Sequence, residues 1–253
     1  MKHGYVALVL ILTATPCPAC GAGRPATSET GRLSAVETPV AIEALLPGVW
    51  VHRSVKYLPE FGGDVPSNGL IAKASDGAVV IDTAWTPEQT AEVLDWAQTN
   101  VGPVRAVIVT HWHDDRSGGL SEVHRRSIPS YGSSRTDEQA SAHGATPPNH
   151  LFDETLDLRS LGLDGEAYFP GAGHSLDNVV VWLGGPQLLF GGCLIKAVEA
   201  QGMGNTVDGD LDAWPDTLAR VERRYPQAKH VVPGHGAPGD RSLILRTHEL
   251  LGR

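Results

Sequence analysis

Two imidazoles and a carboxylate stand at alternate positions in the run His111-Trp112-His113-Asp114-Asp115, and neutral imidazole and carboxylate are ligands that zinc takes readily. The run before them, Arg105 to Thr110, is rich in β-branched residues and reads as a buried strand, with Gly118 and Gly119 close behind. The motif is therefore expected on the loop at a strand's end, where several ligands can be aimed at one point while a coordination position stays open. A polar turn with solvated histidines could carry the same letters, but three further candidates share the pattern. His174 lies in Gly171-Ala172-Gly173-His174-Ser175, Cys193 follows Gly191-Gly192, and His235 lies in Pro233-Gly234-His235-Gly236. Glycine lets backbone approach a metal closely. The other histidines of the body, His52, His124, His143, His150, His230 and His248, stand alone in their segments and read as surface or packing residues.

The elements that must position these residues form a repeating order. Val49 to Val55 reads as a strand, and Lys56 to Asp64 as a loop with aromatic residues near its Gly62-Gly63 tip. Gly69 to Ala74 and Ala78 to Asp82 form a hairpin around Asp76-Gly77. Thr86-Pro87-Glu88-Gln89 offers an N-cap, a proline at the first helical position and a capping-box glutamine, so a helix should run to about Thr99. In the second half, Asn178 to Leu183 and Gln187 to Phe190 make another hairpin, Leu211 to Tyr225 a helix, and His230 to Pro233 a strand. Each half thus runs hairpin, acid or thiol, helix, strand, histidine, with Asp82 matching Cys193 and His111 matching His235. Two similar half-domains, about 40–150 and 151–253, are expected to pack their sheets together within a single domain over 40–253.

With 253 residues and 41% hydrophobic content the chain can bury a sizeable core. A formal net charge of -9 argues against nucleic acid as a partner. Lys2 precedes the apolar run Tyr5 to Ala14, too short to span a bilayer but right for a secretory signal core, so residues 1–20 read as a leader for the periplasm and 21–39 as a flexible polar tail. Ala19 before Cys20 raises the question of a lipid anchor, although Cys17 does not fit the branched apolar residue such a signal carries. With the leader removed, Cys193 is the sole cysteine of the body, and a lone thiol kept in an oxidising compartment suggests a metal ligand.

Taken together, His111-x-His113-x-Asp115, His174, Cys193 and His235 resemble the zinc ligands of the class B metallo-β-lactamases, in the di-zinc subclass that uses a cysteine. The resemblance extends from Ile81-Asp82-Thr83-Ala84-Trp85 to Pro233-Gly234-His235-Gly236. It implies an α/β fold, the four-layer αβ/βα sandwich of that family. It also implies one zinc on His111, His113 and His174 and a second on Asp115, Cys193 and His235. Arg116 takes the place of a basic residue beneath the second zinc, and Asp82 that of a carboxylate supporting the ligands. Lys196 falls where the family has a cation for the substrate carboxylate, and Asn205, in the loop Gln201 to Gly209, where it has an asparagine near the reacting carbonyl.

The activity implied is hydrolysis of the β-lactam ring amide of antibiotics by a zinc-activated hydroxide, with Asp115 orienting it and the loop around Phe61 folding over the substrate. A monomer is the default of the family. Thioesterases, phosphodiesterases and lactonases of the same superfamily typically carry a histidine after the motif aspartate and a bridging aspartate; here Arg116 and Cys193 stand in those places. A non-catalytic periplasmic zinc-binding protein would instead have closed sites and no use for Lys196.

Overall fold

The computed structural model describes Met1 and residues 39–252. The leader expected over 1–20 and the tail over 21–39, with Cys17 and Cys20, lie outside the described residues but for Met1 and Pro39. From there the chain runs β1 (Ala41–Leu46), β2 (Val49–Leu58), β3 (Gly63–Ala74), β4 (Gly77–Ile81), α1 (Pro87–Asn100) and β5 (Val104–Ile108). Next come α2 (Asp114–Ser117), α3 (Leu120–Arg125), β6 (Ser130–Ser133), α4 (Ser134–His143) and β7 (His150–Phe152). The rest is β8 (Thr155–Asp157), β9 (Gly165–Tyr168), β10 (Val180–Leu183), β11 (Leu188–Gly192), α5 (Trp214–Arg224), β12 (His230–Pro233) and α6 (Ser242–Leu251).

Strands β1 to β7 lie side by side in chain order in one sheet, and a second sheet has the order β12-β11-β10-β9-β8. Alternation along the strands decides what each sheet faces. Val79, Ile81 and Ile108 of the first sheet meet Val181, Leu183, Leu188, Phe190 and Val232 of the second in a shared core. The opposite faces are apolar too. Ala78, Val80 and Val107 are covered by Val93, Leu94 and Ala97 of α1 and by Leu120 and Val123 of α3. Val180, Leu189 and Val231 are covered by Trp214, Leu218 and Val221 of α5 and by Leu243 and Ile244 of α6. The result is helix, sheet, sheet, helix, the four layers implied by the resemblance.

In each half a parallel pair is joined through a helix: β4 to β5 through α1, and β11 to β12 through α5. Such pairs carry their functional loops at the carboxyl ends of the strands. Asp82 and the His111 motif follow β4 and β5, and Cys193 and His235 follow β11 and β12, so the expected equivalence of the halves holds in strand order. The Thr86 side chain accepts from the Gln89 amide at 3.2 Å, and Pro87 opens α1 as anticipated.

Three expectations shift. Lys56 to Asp64 is not an open loop: the β2–β3 ladder continues through Tyr57 opposite Asp64 and Leu58 opposite Gly63, leaving only a 3-10 turn, Pro59–Phe61, at the tip. The proline and glycines mark that turn but do not dissolve the flanking strands. The division expected at 150/151 falls inside β7, which pairs with β6 and so belongs to the first sheet. The helix expected from Leu211 starts at Trp214, because Asp210 caps the turn before it, its side chain accepting from the Ala213 amide at 2.9 Å.

Candidate metal centre

His111, His113 and Asp115 leave the end of β5 on a tight turn whose first helical residues are Asp114 and Asp115. Thr110 holds the turn to Asp82, its amide donating to Oδ1 at 2.7 Å and its hydroxyl to Oδ2 at 2.9 Å. Asp82 itself sits at φ 62°, a left-handed conformation that costs an ordinary residue about 1 kcal/mol and persists here because these bonds, and its amide bond to Ile108 at 2.7 Å, fix it. Burial pushes the Asp82 carboxyl up to about 7, against the pull of Arg116 and Thr110.

The three imidazoles converge on one point. His111 Nε2 lies 3.1 Å from His113 Nδ1, and His113 Nδ1 lies 3.2 Å from His174 Nε2, with the rings edge-on to one another at 79–82°. Burial, with the neighbouring imidazoles, holds His111 well below the ordinary histidine value; burial and the Lys196 charge do the same to His174. Both rings are therefore neutral, with lone pairs to offer. A tetrahedral zinc with Zn–N near 2.0–2.1 Å needs nitrogens roughly 3.3 Å apart, close to this spacing. The tautomer of His113 is set from behind, where Nε2 faces Asp208 Oδ2 at 3.1 Å and leaves Nδ1 free for the centre.

Asp115, Cys193 and His235 form a second triad beside the first. Asp115 Oδ2 is 3.1 Å from His235 Nε2 and 3.3 Å from Cys193 Sγ. His235 Nδ1 faces the Pro66 carbonyl at 2.7 Å, which again turns the other nitrogen inward. Burial alone would raise the Asp115 carboxyl, yet Arg116, His235 and His111 outweigh it and hold it well below the usual carboxylate range. Desolvation lowers His235, but Cys193 and Asp115 win and raise it above its ordinary value. A thiol and a carboxylate gathered beside imidazoles make a donor set suited to a zinc-like cation, and both triads fit one, the three imidazoles by the spacing of their nitrogens and Asp115, Cys193 and His235 as a group whose ligand atoms lie within 4.8 Å of one another.

Beneath them lies Arg116, wholly buried. It pairs with Asp115 at 2.9 Å and Asp82 at 3.3 Å, and donates to Cys193 Sγ at 3.2 Å, to Gly234 O at 2.7 Å and to the Asn68 carbonyl. Gly234 is required by this contact: a Cβ there would lie 2.5 Å from the guanidinium and 2.7 Å from Cys193 Sγ.

A cavity of about 620 Å³ opens over the two triads. That volume is ordinary for a site that takes a drug-sized molecule. Lys196 lines it, with Nζ 5.2 Å from the ring of the buried Trp214. Asn205 stands on the rim, where its side-chain oxygen accepts from the Val207 amide at 3.1 Å. That bond makes it a turn former and leaves its NH2 as the group with hydrogens to offer. Phe61 is 56% exposed and, with Leu58, Val65 and Trp85, forms an apolar wall.

Sequence reasoning missed several contributors. Asp208 was legible only as part of the Asn205 loop. Asn68 ties β3 to the His235 loop, its amide nitrogen donating to Pro233 O at 3.0 Å and Gly236 O at 2.8 Å. Lys56 and Asp114 form an ion pair on the rim. The histidines read as packing or surface residues stay away from the triads: His143 stacks on Trp112 at 4.1 Å, and buried His52 bonds the Asp82 carbonyl.

The family model of the metallo-beta-lactamase superfamily matches residues 62–235. The chain is 37% identical over 226 residues to the metallo-beta-lactamase type 2 of Bacillus cereus, covering 88% of this chain and 84% of that one. With the type 2 enzyme of Bacteroides fragilis it shares 35% over 219 residues, 86% and 88% of the two chains. Among solved structures, a metallo-beta-lactamase from Pontibacter korlensis superposes with a TM-score of 0.80 at 43% identity, covering 85% of this chain and 99% of that one. FIM-1 from Pseudomonas aeruginosa, in its mono-zinc form, gives 0.80 at 34% identity over 85% and 96%. With these relatives the chain belongs to the metallo-beta-lactamase superfamily, among the class B metallo-beta-lactamases whose cysteine-containing zinc site the group Asp115, Cys193 and His235 fits.

Proposed function

We propose that this protein hydrolyses the β-lactam ring amide of penicillins, cephalosporins and carbapenems and so confers antibiotic resistance. The observation that carries the reading is the meeting of three imidazole nitrogens beside an Asp–Cys–His triad, with His113, His174 and that triad lining a cavity that also holds a lysine. His111, His113 and His174 hold one zinc, and Asp115, Cys193 and His235 a second. Bound zinc supplies Lewis acidity and lowers the pKa of water from about 15.7 to about 7.

The chain's own residues divide the remaining work. Lys196 binds the substrate carboxylate and so fixes the ring over the floor, a contribution to orientation. The Asn205 NH2 donates to the oxygen of the amide under attack, where negative charge develops. Asp115, held ionised by Arg116, accepts a hydrogen bond from the attacking water and carries a proton towards the departing ring nitrogen. The wall of Phe61, Val65 and Trp85 covers the substrate and excludes bulk water. Arg116 and Asp82 hold the ligands in place.

The same reading takes the protein as a monomer exported to the periplasm by its leader, with Cys20 as a candidate for lipid attachment. Among the described residues no helix is long and apolar enough to cross a membrane. The test is the ultraviolet absorbance of a carbapenem and of a penicillin incubated with the purified protein, with and without a zinc chelator. Rapid loss that chelation abolishes and zinc restores is expected. Stable absorbance with folded, zinc-replete protein would overturn the reading in favour of a thioester or lactone substrate.

A further inference from the structure

Two lysines line the cavity, and they are held very differently. Lys196 follows β11, is half-buried, and rests over the ring of the fully buried Trp214. Lys56 comes from β2, on the hairpin that carries Phe61. Its Nζ lies 5.5 Å from the centre of the Trp85 ring and 3.2 Å from Asp114 Oδ2. Trp85 is a fixed platform, 8% exposed, with its Nε1 donating to the Val65 carbonyl at 3.0 Å. Asp114 is not fixed in this way: its side chain is 62% exposed.

An ion pair this exposed contributes little, about 0–1 kcal/mol, because water solvates both partners nearly as well. An anion brought in by a bound molecule can therefore take the place of Asp114 beside Lys56 at small cost, while the Trp85 face keeps the ammonium at the rim. We propose that Lys56 forms a second anion subsite, which seats a carboxylate or sulfonate on the side chain of a dianionic β-lactam, and that Asp114 is its built-in competitor. The inference rests on the β-lactam reading above, in which Lys196 takes the carboxylate of the ring nucleus.

Two penicillins that differ by one carboxylate isolate the effect: benzylpenicillin, and carbenicillin, which carries the extra group on its side chain. The measurement is the ratio of kcat/KM for carbenicillin to that for benzylpenicillin, in zinc-loaded wild type, Lys56→Met, Asp114→Asn and the double variant. Removing the Lys56 charge should lower the ratio by about threefold to fivefold, the upper part of the range for one partly exposed charge contact. Asp114→Asn should raise it by a similar factor, and most of that rise should vanish when Lys56 is also Met.

A ratio that stays within about twofold of wild type in Lys56→Met overturns the subsite. So does a rise in Asp114→Asn that survives intact in the double variant, since Asp114 would then act by plain repulsion. The two readings fail separately. If wild type hydrolyses neither penicillin, the β-lactam reading falls and takes the subsite with it; if benzylpenicillin turns over and the ratio does not move, only the subsite falls.

Discussion

Replacing Arg116 with alanine should be the most damaging single change in the charged layer beneath the triads. The guanidinium is fully buried and serves Asp115, Asp82, Cys193 and two backbone carbonyls at once. Breaking a buried ion pair by removing one partner costs roughly 3–5 kcal/mol, since the other charge stays buried without compensation. Asp82 adds little to that cost, because a carboxyl raised to about 7 takes up a proton near neutrality. Asp115 carries most of it, being held ionised largely by Arg116. The orphaned carbonyls of Asn68 and Gly234 are satisfied in part by water entering the space left. The net loss is about 4 kcal/mol, a large share of a stability of roughly 5–15 kcal/mol.

Urea unfolding of exhaustively chelated wild type and Arg116→Ala measures this directly. Repeating it with zinc should narrow the gap, because a divalent cation at Asp115 and Cys193 replaces part of the missing positive charge. Arg116→Lys should fall between, as one ammonium cannot reach every partner of a planar fork. A loss under about 1 kcal/mol in the chelated protein would refute the reasoning.

Cys193→Ser should lower bound zinc, counted by elemental mass spectrometry, by about one ion per chain and depress activity sharply; full zinc content with undiminished turnover would remove Cys193 from the ligand set. Phe61→Ala should raise KM several-fold for substrates with bulky side chains and change kcat by less than about twofold, and an unchanged KM for every substrate would sink the covering role of the wall. Burial pushes the His52 imidazole down to about 4, so the folded protein refuses a proton that the unfolded chain accepts near 6.5. Stability is therefore whole above 6.5 and lost as the pH falls towards 4, by about 2 kcal/mol at pH 5 from this group. His52→Gln should flatten that limb in unfolding measured at pH 7.5 and pH 5; equal losses for both proteins would count against it.

Much of the site was legible because its residues announce themselves locally. His111, His113 and Asp115 follow a strand made of β-branched residues, and Cys193 and His235 follow glycines in matching places of the second half. Thr86-Pro87 foretold α1 for the same reason: a cap is a short-range signal. What stayed hidden depends on partners far along the chain. Asn68 is one polar residue in a strand, and its bonds reach Pro233 and Gly236. Asp208 acts only through a histidine 95 residues earlier. The hairpin was read as a loop because proline and glycine at its tip outweighed the ladder on either side, whose registry is decided across the pair and not within one strand.

His111, His113 and Asp115 hang from the first sheet and Cys193 and His235 from the second, so the triads exist only while the sheets are docked. A cation held across that seam works as a reversible cross-link that closes a loop on the order of 100 residues. In the chain-entropy account of disulfides, closing such a loop is worth about 4–5 kcal/mol. Metal supply then governs the lifetime of the protein as well as its turnover. A chain deprived of zinc opens along the seam more often, and each opening exposes the apolar inner faces of both sheets to proteases.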